Sequence, residues 1–96
     1  MNGLVWRMEN SNGTSRRDWL DEKDTNDAIN KLEAAAGWRG EWETNDFGGQ
    51  DWWGVTGTFN GAVFTLYTHK SGTIKIGGFE DLDVVGLKAA LQEVIR

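Results

Sequence analysis

Residues 3–9, GLVWRME, alternate between two kinds of side chain. Leu4, Trp6 and Met8 fall on one side, and Val5, Arg7 and Glu9 on the other. A period of two is that of a strand with one buried face, so the pattern predicts a strand there. NSNGT then reads as a turn. SRRDWLD at 15–21 is a weaker strand pattern, placed as the edge partner of the first. The period changes at DTNDAINKLEAAAG: Ala28, Ile29, Leu32, Ala35 and Ala36 recur at helical spacing. Asp24 or Thr25 supplies the N-cap oxygen and Gly37 the left-handed stop, so a helix is expected between them.

WRGEWET at 38–44 alternates again, with Trp38, Gly40 and Trp42 on one face and Arg39, Glu41 and Glu43 on the other. That is the signature of a strand with one wet face. After a loop at 45–51, DWWGVTGTFNGAVFTLYTHK gives the strongest signal in the chain. Asn60-Gly61 sits between two β-prone runs, and both turn positions of a two-residue hairpin need positive φ. Pairing across that turn sets Phe59 opposite Ala62, Gly57 opposite Phe64, Val55 opposite Leu66 and Trp53 opposite Thr68 on the core face. The other face then carries Thr58 and Val63, Thr56 and Thr65, Gly54 and Tyr67, and Trp52 and His69.

The next turn decides the facing of one more strand. A two-residue loop at Ser71-Gly72 would turn Ile74 and Ile76 outward. A three-residue loop, Lys70-Ser71-Gly72, brings both to the core face and leaves Thr73 and Lys75 outside. Burying two isoleucines contributes roughly 3–6 kcal/mol, so the longer loop is expected. EDLDVVGLKAALQEVIR closes the chain as a second helix, with Val84, Leu87, Ala90, Leu91, Val94 and Ile95 on one face. Glu80, Asp81 and Asp83 stand at its N-terminus, where the helix dipole favours negative charge.

The order β-β-α-β-β-β-β-α over residues 1–96 predicts a single two-layer α+β domain. It is an antiparallel sheet of four to six strands with both helices on one face. The second face of the sheet is left open.

Composition narrows what that face does. Apolar residues make up 39% and charged residues 26%, the balance of a folded domain. Fifteen acids against 10 bases give a net charge of −5. The only basic doublet, Arg16-Arg17, is followed at once by Asp18. Binding to nucleic acid through phosphate neutralisation, or to an anionic membrane, is therefore disfavoured, and a basic partner is favoured. The first residues, MNGLVWRMEN, have neither a basic nor an apolar leader region, and no apolar run approaches the ~20 residues of a membrane span. With no cysteine in the chain, a cytoplasmic location is expected.

Catalytic chemistry has few candidates. One histidine and no cysteine exclude the usual zinc sets. Asp46 and Asp51 flank a glycine loop, but NDFGGQD lacks the alternating oxygen ligands of a calcium loop. Gly77-Gly78 occupies the place of a phosphate loop between strand and helix, yet three acids crowd the helix start and would repel phosphate. Tyr67, His69 and a carboxylate are the only acid–base groups in reach, with no fixed-spacing constellation among them. No cofactor, no metal and no enzymatic activity are expected.

What remains is a surface. The open face is expected to present Trp52, Tyr67, His69 and Lys75. Glu41, Glu43, Asp46 and Asp51 form an acidic rim beside it if strand 38–44 joins the sheet. Trp6, Trp38, Trp42 and Trp53 point into the core on alternation. Aromatics among small polar groups make protein-contact hot spots. They also pack for purely structural reasons: Trp52 capping the sheet end and Tyr67 covering Gly54 is the plainer account. The expected function is a small acidic, non-enzymatic inhibitor that docks this face on a basic, nucleic-acid-handling protein. Toxin-immunity and phage anti-defence proteins share that general character, though no family signature is present. The alternative is a small-molecule or nucleotide binder, stacking its ligand on Trp52 and Tyr67 with Lys75 and Arg39 as counter-charges. A homodimer through the same face is a further expectation.

Overall fold

Asn60 and Gly61 take φ values of 51° and 85°, as a two-residue hairpin turn demands. The strands they join are β4 (Gln50–Phe59) and β5 (Ala62–His69). Their register is the expected one at every position, from Phe59↔Ala62 at the turn to Trp52↔His69 at the open end. The computed structural model describes residues 3–7, 14–20, 22, 24–37, 42–44, 50–69 and 73–96, and for 42–44, 50–53 and 69 its description is of the backbone.

The remaining elements are β1 (Leu4–Arg7), β2 (Ser15–Trp19), α1 (Thr25–Ala36), β3 (Trp42–Thr44), β6 (Lys75–Gly78) and α2 (Val84–Ile95). All six strands form one antiparallel sheet in the order β1-β4-β5-β6-β2, and β3 also pairs with β4. The long strand β4 therefore carries β1 along residues 56–59 and β3 along 50–53. The α+β order expected from the sequence is the order observed.

β6 has the register expected of the three-residue loop, whose residues 70–72 lie outside the described residues. Leu66 pairs with Ile76 and Tyr67 with Lys75. Ile74 and Ile76 are fully buried, and the Thr68 hydroxyl bridges the loop by donating to the Thr73 carbonyl at 3.1 Å.

Four expectations are corrected. β2 does not lie beside β1. It pairs with β6 at the far edge of the sheet, where Leu20 just beyond it is fully buried and its N–H donates to the Ile74 carbonyl at 2.9 Å. A backbone bond of 3.0 Å from Asn60 N to Gly3 O anchors β1 at the hairpin tip. Strand β4 begins at Gln50, so Gln50 and Asp51 are not in the loop. Asp51 is the extra residue of a bulge, since Glu43 pairs with Trp52 and Thr44 with Gln50. Helix α2 starts at Val84, after a turn at Glu80 and Asp81. Asp83 is its N-cap and accepts from Gly86 N at 3.0 Å. Finally, Ala35 is exposed, so α1 buries only Ala28, Ile29 and Leu32. Its N-cap is Asp24, which accepts from Asp27 N at 3.1 Å, and Gly37 closes it at φ 71°.

The core lies between the helices and one sheet face. Leu20, Leu32, Phe64, Leu66, Leu87 and Leu91 are fully buried in it. Leu4 and Trp6 pack against it from β1, and the Trp6 and Phe64 rings meet edge to face at 5.8 Å and 74°. Gly57 pairs with both residues and makes that meeting possible. A Cβ there would lie 2.6 Å from Phe64 Cζ and 2.6 Å from the Val5 carbonyl oxygen.

Candidate outer sheet face

Strand alternation sends the other half of each strand to the face without helices. The described side chains there are Val5 and Arg7 on β1, Thr56 and Thr58 on β4, and Val63, Thr65 and Tyr67 on β5. Lys75 on β6 and Trp19 with Arg16 on β2 complete the face. Its centre is tighter than expected, because Thr56 and Thr65 are buried. The exposed surface is displaced toward the two edges, Val5 and Arg7 on one side and the β6–β2 pair on the other.

The β6–β2 side holds a connected set of aromatic and cationic groups. Lys75 pairs with Tyr67 on one flank and Trp19 on the other, so the three stand in one row across β5, β6 and β2. Lys75 Nζ lies 5.9 Å from the centre of the Tyr67 ring, and Arg16 Cζ lies 5.9 Å from the centre of the Trp19 ring. Both distances are within cation–π range, where exposed pairs contribute about 0.5–1 kcal/mol. Arg16, Trp19, Thr73 and Lys75 line a shallow hollow of about 290 Å³. The Tyr67 ring extends toward Gly77, where a Cβ would stand 3.2 Å from Tyr67 Cε1. Half-buried Tyr67 is thus both a packing group and part of the surface.

A bulge in β2 creates this arrangement. Strict alternation would put Arg16 on the face of Asp18 and Leu20. The ladder instead pairs Arg16 with Gly77 and Asp18 with Ile76, leaving Arg17 as the extra residue. Arg16 thereby joins Trp19 on the outer face, and Asp18 turns toward the helices. There Asp18 accepts from Lys88 Nζ on α2 at 3.3 Å and from Trp19 N at 2.8 Å. The carboxylate that follows the basic doublet in sequence is therefore engaged on the opposite side of the sheet.

The Trp19 backbone bond, helped by the Lys88 hydrogen bond and charge, holds the Asp18 carboxyl below its usual range against the opposing effect of desolvation. A lowered folded pKa stabilises the folded state in full where Asp18 is ionised in both states, and in part where it is ionised in the folded state alone. Its stabilisation is present above the unfolded value near 3.8 and is lost as pH falls through the folded value. Asp18→Asn is expected to lower the urea midpoint at pH 7. The gap from wild type should close as pH drops below about 4. A gap that stays constant down to pH 2 would contradict this assignment.

Of the residues expected to form the site, Tyr67 and Lys75 stand side by side as cross-strand partners. Trp52 and His69 are paired in the backbone at the open end of the hairpin, and Glu43 pairs with Trp52 from β3. Asp51 occupies the β4 bulge. Glu41 and Asp46, with Arg39, Trp38 and Phe47, lie outside the described residues. Trp19 and Arg16 were not foreseen as site residues. Leu20 was the available signal: a buried Leu20 makes Trp19 face outward, but the bulge hides Arg16 from any parity argument.

Other parts of the molecule offer less. A hollow of about 420 Å³ between the start of α1 and the end of α2 is lined by Leu20, Glu22, Asp24, Asp27, Gln92, Ile95 and Arg96. Among the described residues no group of three or more His, Cys, Asp or Glu could hold a metal ion, and no helix is long and apolar enough to cross a membrane. Comparison with protein families, curated proteins and solved structures found no match.

Proposed function

We propose that this chain is a non-enzymatic binding domain that docks a protein partner on the outer face of its sheet and inhibits it by occupying the partner's working surface. The observation that supports this most is Trp19. It is 47% exposed on the sheet face opposite the described helices, with Arg16, Lys75 and Tyr67 near it. Tryptophan, tyrosine and arginine are the residues most enriched in interface hot spots. The hydrogen-bonded sheet fixes the backbone that carries them, which lowers the ordering cost of binding.

The sheet has two unlike ends in this reading. Strand β3 brings Glu43 into the ladder beside Trp52, and Asp51 occupies the adjoining β4 bulge; these two acids would make that end suit a basic, nucleic-acid-handling protein. The β2 end carries the cations.

The test is affinity capture from the native host with the whole chain and its Trp19→Ala variant. Trp19 is far enough from the core for the variant to keep its fold, which circular dichroism would check. A partner that binds the wild type should bind the variant at least about 30-fold more weakly, the effect of losing a 2 kcal/mol hot spot. Val85→Ala, at an 81% exposed position on α2, should leave capture unchanged. Equal capture by wild type and Trp19→Ala would end the proposal.

A further inference from the structure

Resting on that reading, we infer that Glu22 is a positioning residue of the docking face. Its carboxylate acts from the helix side of the sheet and sets the peptide group through which Thr73 reaches the outer hollow. Arg16, Trp19, Thr73 and Lys75 line that hollow. Glu22 lines a different one, between the start of α1 and the end of α2.

The link is the single peptide group between Thr73 and Ile74. Its carbonyl accepts from the Thr68 hydroxyl on β5 at 3.1 Å, and its N–H donates to Glu22 Oε1 at 3.3 Å. A trans peptide is planar, and its C=O and N–H point in opposite directions. Strand β6 runs between β5 and β2, so the two ends of this group are held from the two flanks of the strand. The plane is thereby fixed. Ile74 adds a third hold, because its side chain is fully buried in the core. Exposed Thr73 and half-buried Lys75, on either side of Ile74, then take set places at the outer hollow.

Side chains are needed here because the ladder stops short. In a regular antiparallel rung, two facing residues exchange both backbone bonds. Leu20 N donates to the Ile74 carbonyl at 2.9 Å, but the return bond from Ile74 N goes to Glu22 rather than to the Leu20 carbonyl. Strand β2 has ended at Trp19, and the chain is already turning toward α1. A carboxylate suits the exchange, since charge-assisted bonds to backbone N–H groups are stronger than neutral ones. The Thr25 hydroxyl donates to the same Glu22 oxygen at 3.4 Å and helps to orient it. Glu22 is not the cap of α1, because Asp24 fills that position.

Nuclear magnetic resonance spectra of the whole chain test this without a partner. Glu22→Ala is expected to shift the amides of Thr73, Ile74 and Lys75 and the Trp19 indole N–H. Hydrogen exchange at Ile74 should quicken at least about tenfold more than at Leu91 in the core. Glu22→Gln keeps an acceptor oxygen at the same reach and should restore both readouts. Thr68→Val removes the other tie at nearly constant size and should shift the same amides, which serves if Glu22→Ala does not fold. An Ile74 amide that ignores Glu22→Ala, shifts spread evenly over the chain, or a Glu22→Gln spectrum as altered as that of Glu22→Ala each overturn the inference. In capture from the native host, Glu22→Ala should weaken a Trp19-dependent partner at least about tenfold, and Glu22→Gln should not. Equal capture by Glu22→Ala and wild type also overturns it. The two readings fail separately. Capture that depends on Trp19, with Ile74 indifferent to Glu22, refutes this role and leaves the docking face standing. Capture indifferent to Trp19, with Ile74 responding to Glu22, refutes the docking face and leaves Glu22 a tie within the sheet alone.

Discussion

Gly57→Ala is expected to be the most damaging single-methyl change in the sheet. The added carbon would meet two obstacles at once, the Phe64 ring at 2.6 and 2.8 Å and the Val5 carbonyl oxygen at 2.6 Å. The ring could in principle tilt. It is fully buried and held edge to face against Trp6, so tilting opens a void on its far side. The carbonyl cannot retreat without loosening β1 from β4. Overpacking typically costs ~1–3 kcal/mol, and a backbone obstacle puts this site at or above the upper end. For a domain of this size ~3 kcal/mol corresponds to a fall in Tm of about 12–24 °C. Thermal melts of Gly57→Ala and a Thr58→Ala control would show it. Adding Phe64→Leu to Gly57→Ala removes the ring and leaves the carbonyl, so the double variant should recover only in part relative to Phe64→Leu alone. A Gly57→Ala variant as stable as wild type would mean that Trp6 and Phe64 do not meet over a bare glycine.

Gly57 also shows why the sequence was informative about this part of the fold. Asn60-Gly61 fixes one turn, and a turn of two residues fixes every later pair by counting. The whole β4–β5 ladder follows, including the placement of Gly57 opposite Phe64. The β5–β6 ladder needed one more argument, the burial energy of Ile74 and Ile76, and it too was sufficient. Where neither a two-residue turn nor a decisive burial existed, counting failed. The turn after β1 carries no constraint on which strand β2 meets, since β2 is polar apart from Trp19 and an edge ladder was free on β6 as well as on β1.

The site was legible to the same extent as the ladders beneath it. Tyr67 and Lys75 lie on ladders that the turns determine, and they stand together as expected. Arg16 and Trp19 lie on β2, where a one-residue bulge reverses the facing of everything before it. The same bulge explains why Asp18 looks like a neutraliser of Arg16 and Arg17 along the chain. In space it belongs to a different layer, with Lys88. Local charge bookkeeping along a strand is safe only when the strand is regular.

Neighbouring residues on β6 give the sharpest check of which face is which. Ile76→Ala is expected to cost about 2–4 kcal/mol, because the side chain is fully buried against the core and the space it leaves is enclosed by Leu66 and the helix layer. Lys75→Ala, one residue earlier, should change stability by no more than about 0.5–1 kcal/mol, the value of its contact with the Tyr67 ring. Urea unfolding measures both, and the slopes should match wild type because the native fold is retained. Opposite facing is the physical premise of the proposed docking site, since a row of Tyr67, Lys75 and Trp19 exists only if position 75 looks away from the helices. The two-residue loop would exchange the roles and make Lys75 the buried side chain. Comparable losses for the two variants, or a larger one at Lys75, would therefore remove the row and the docking face built on it.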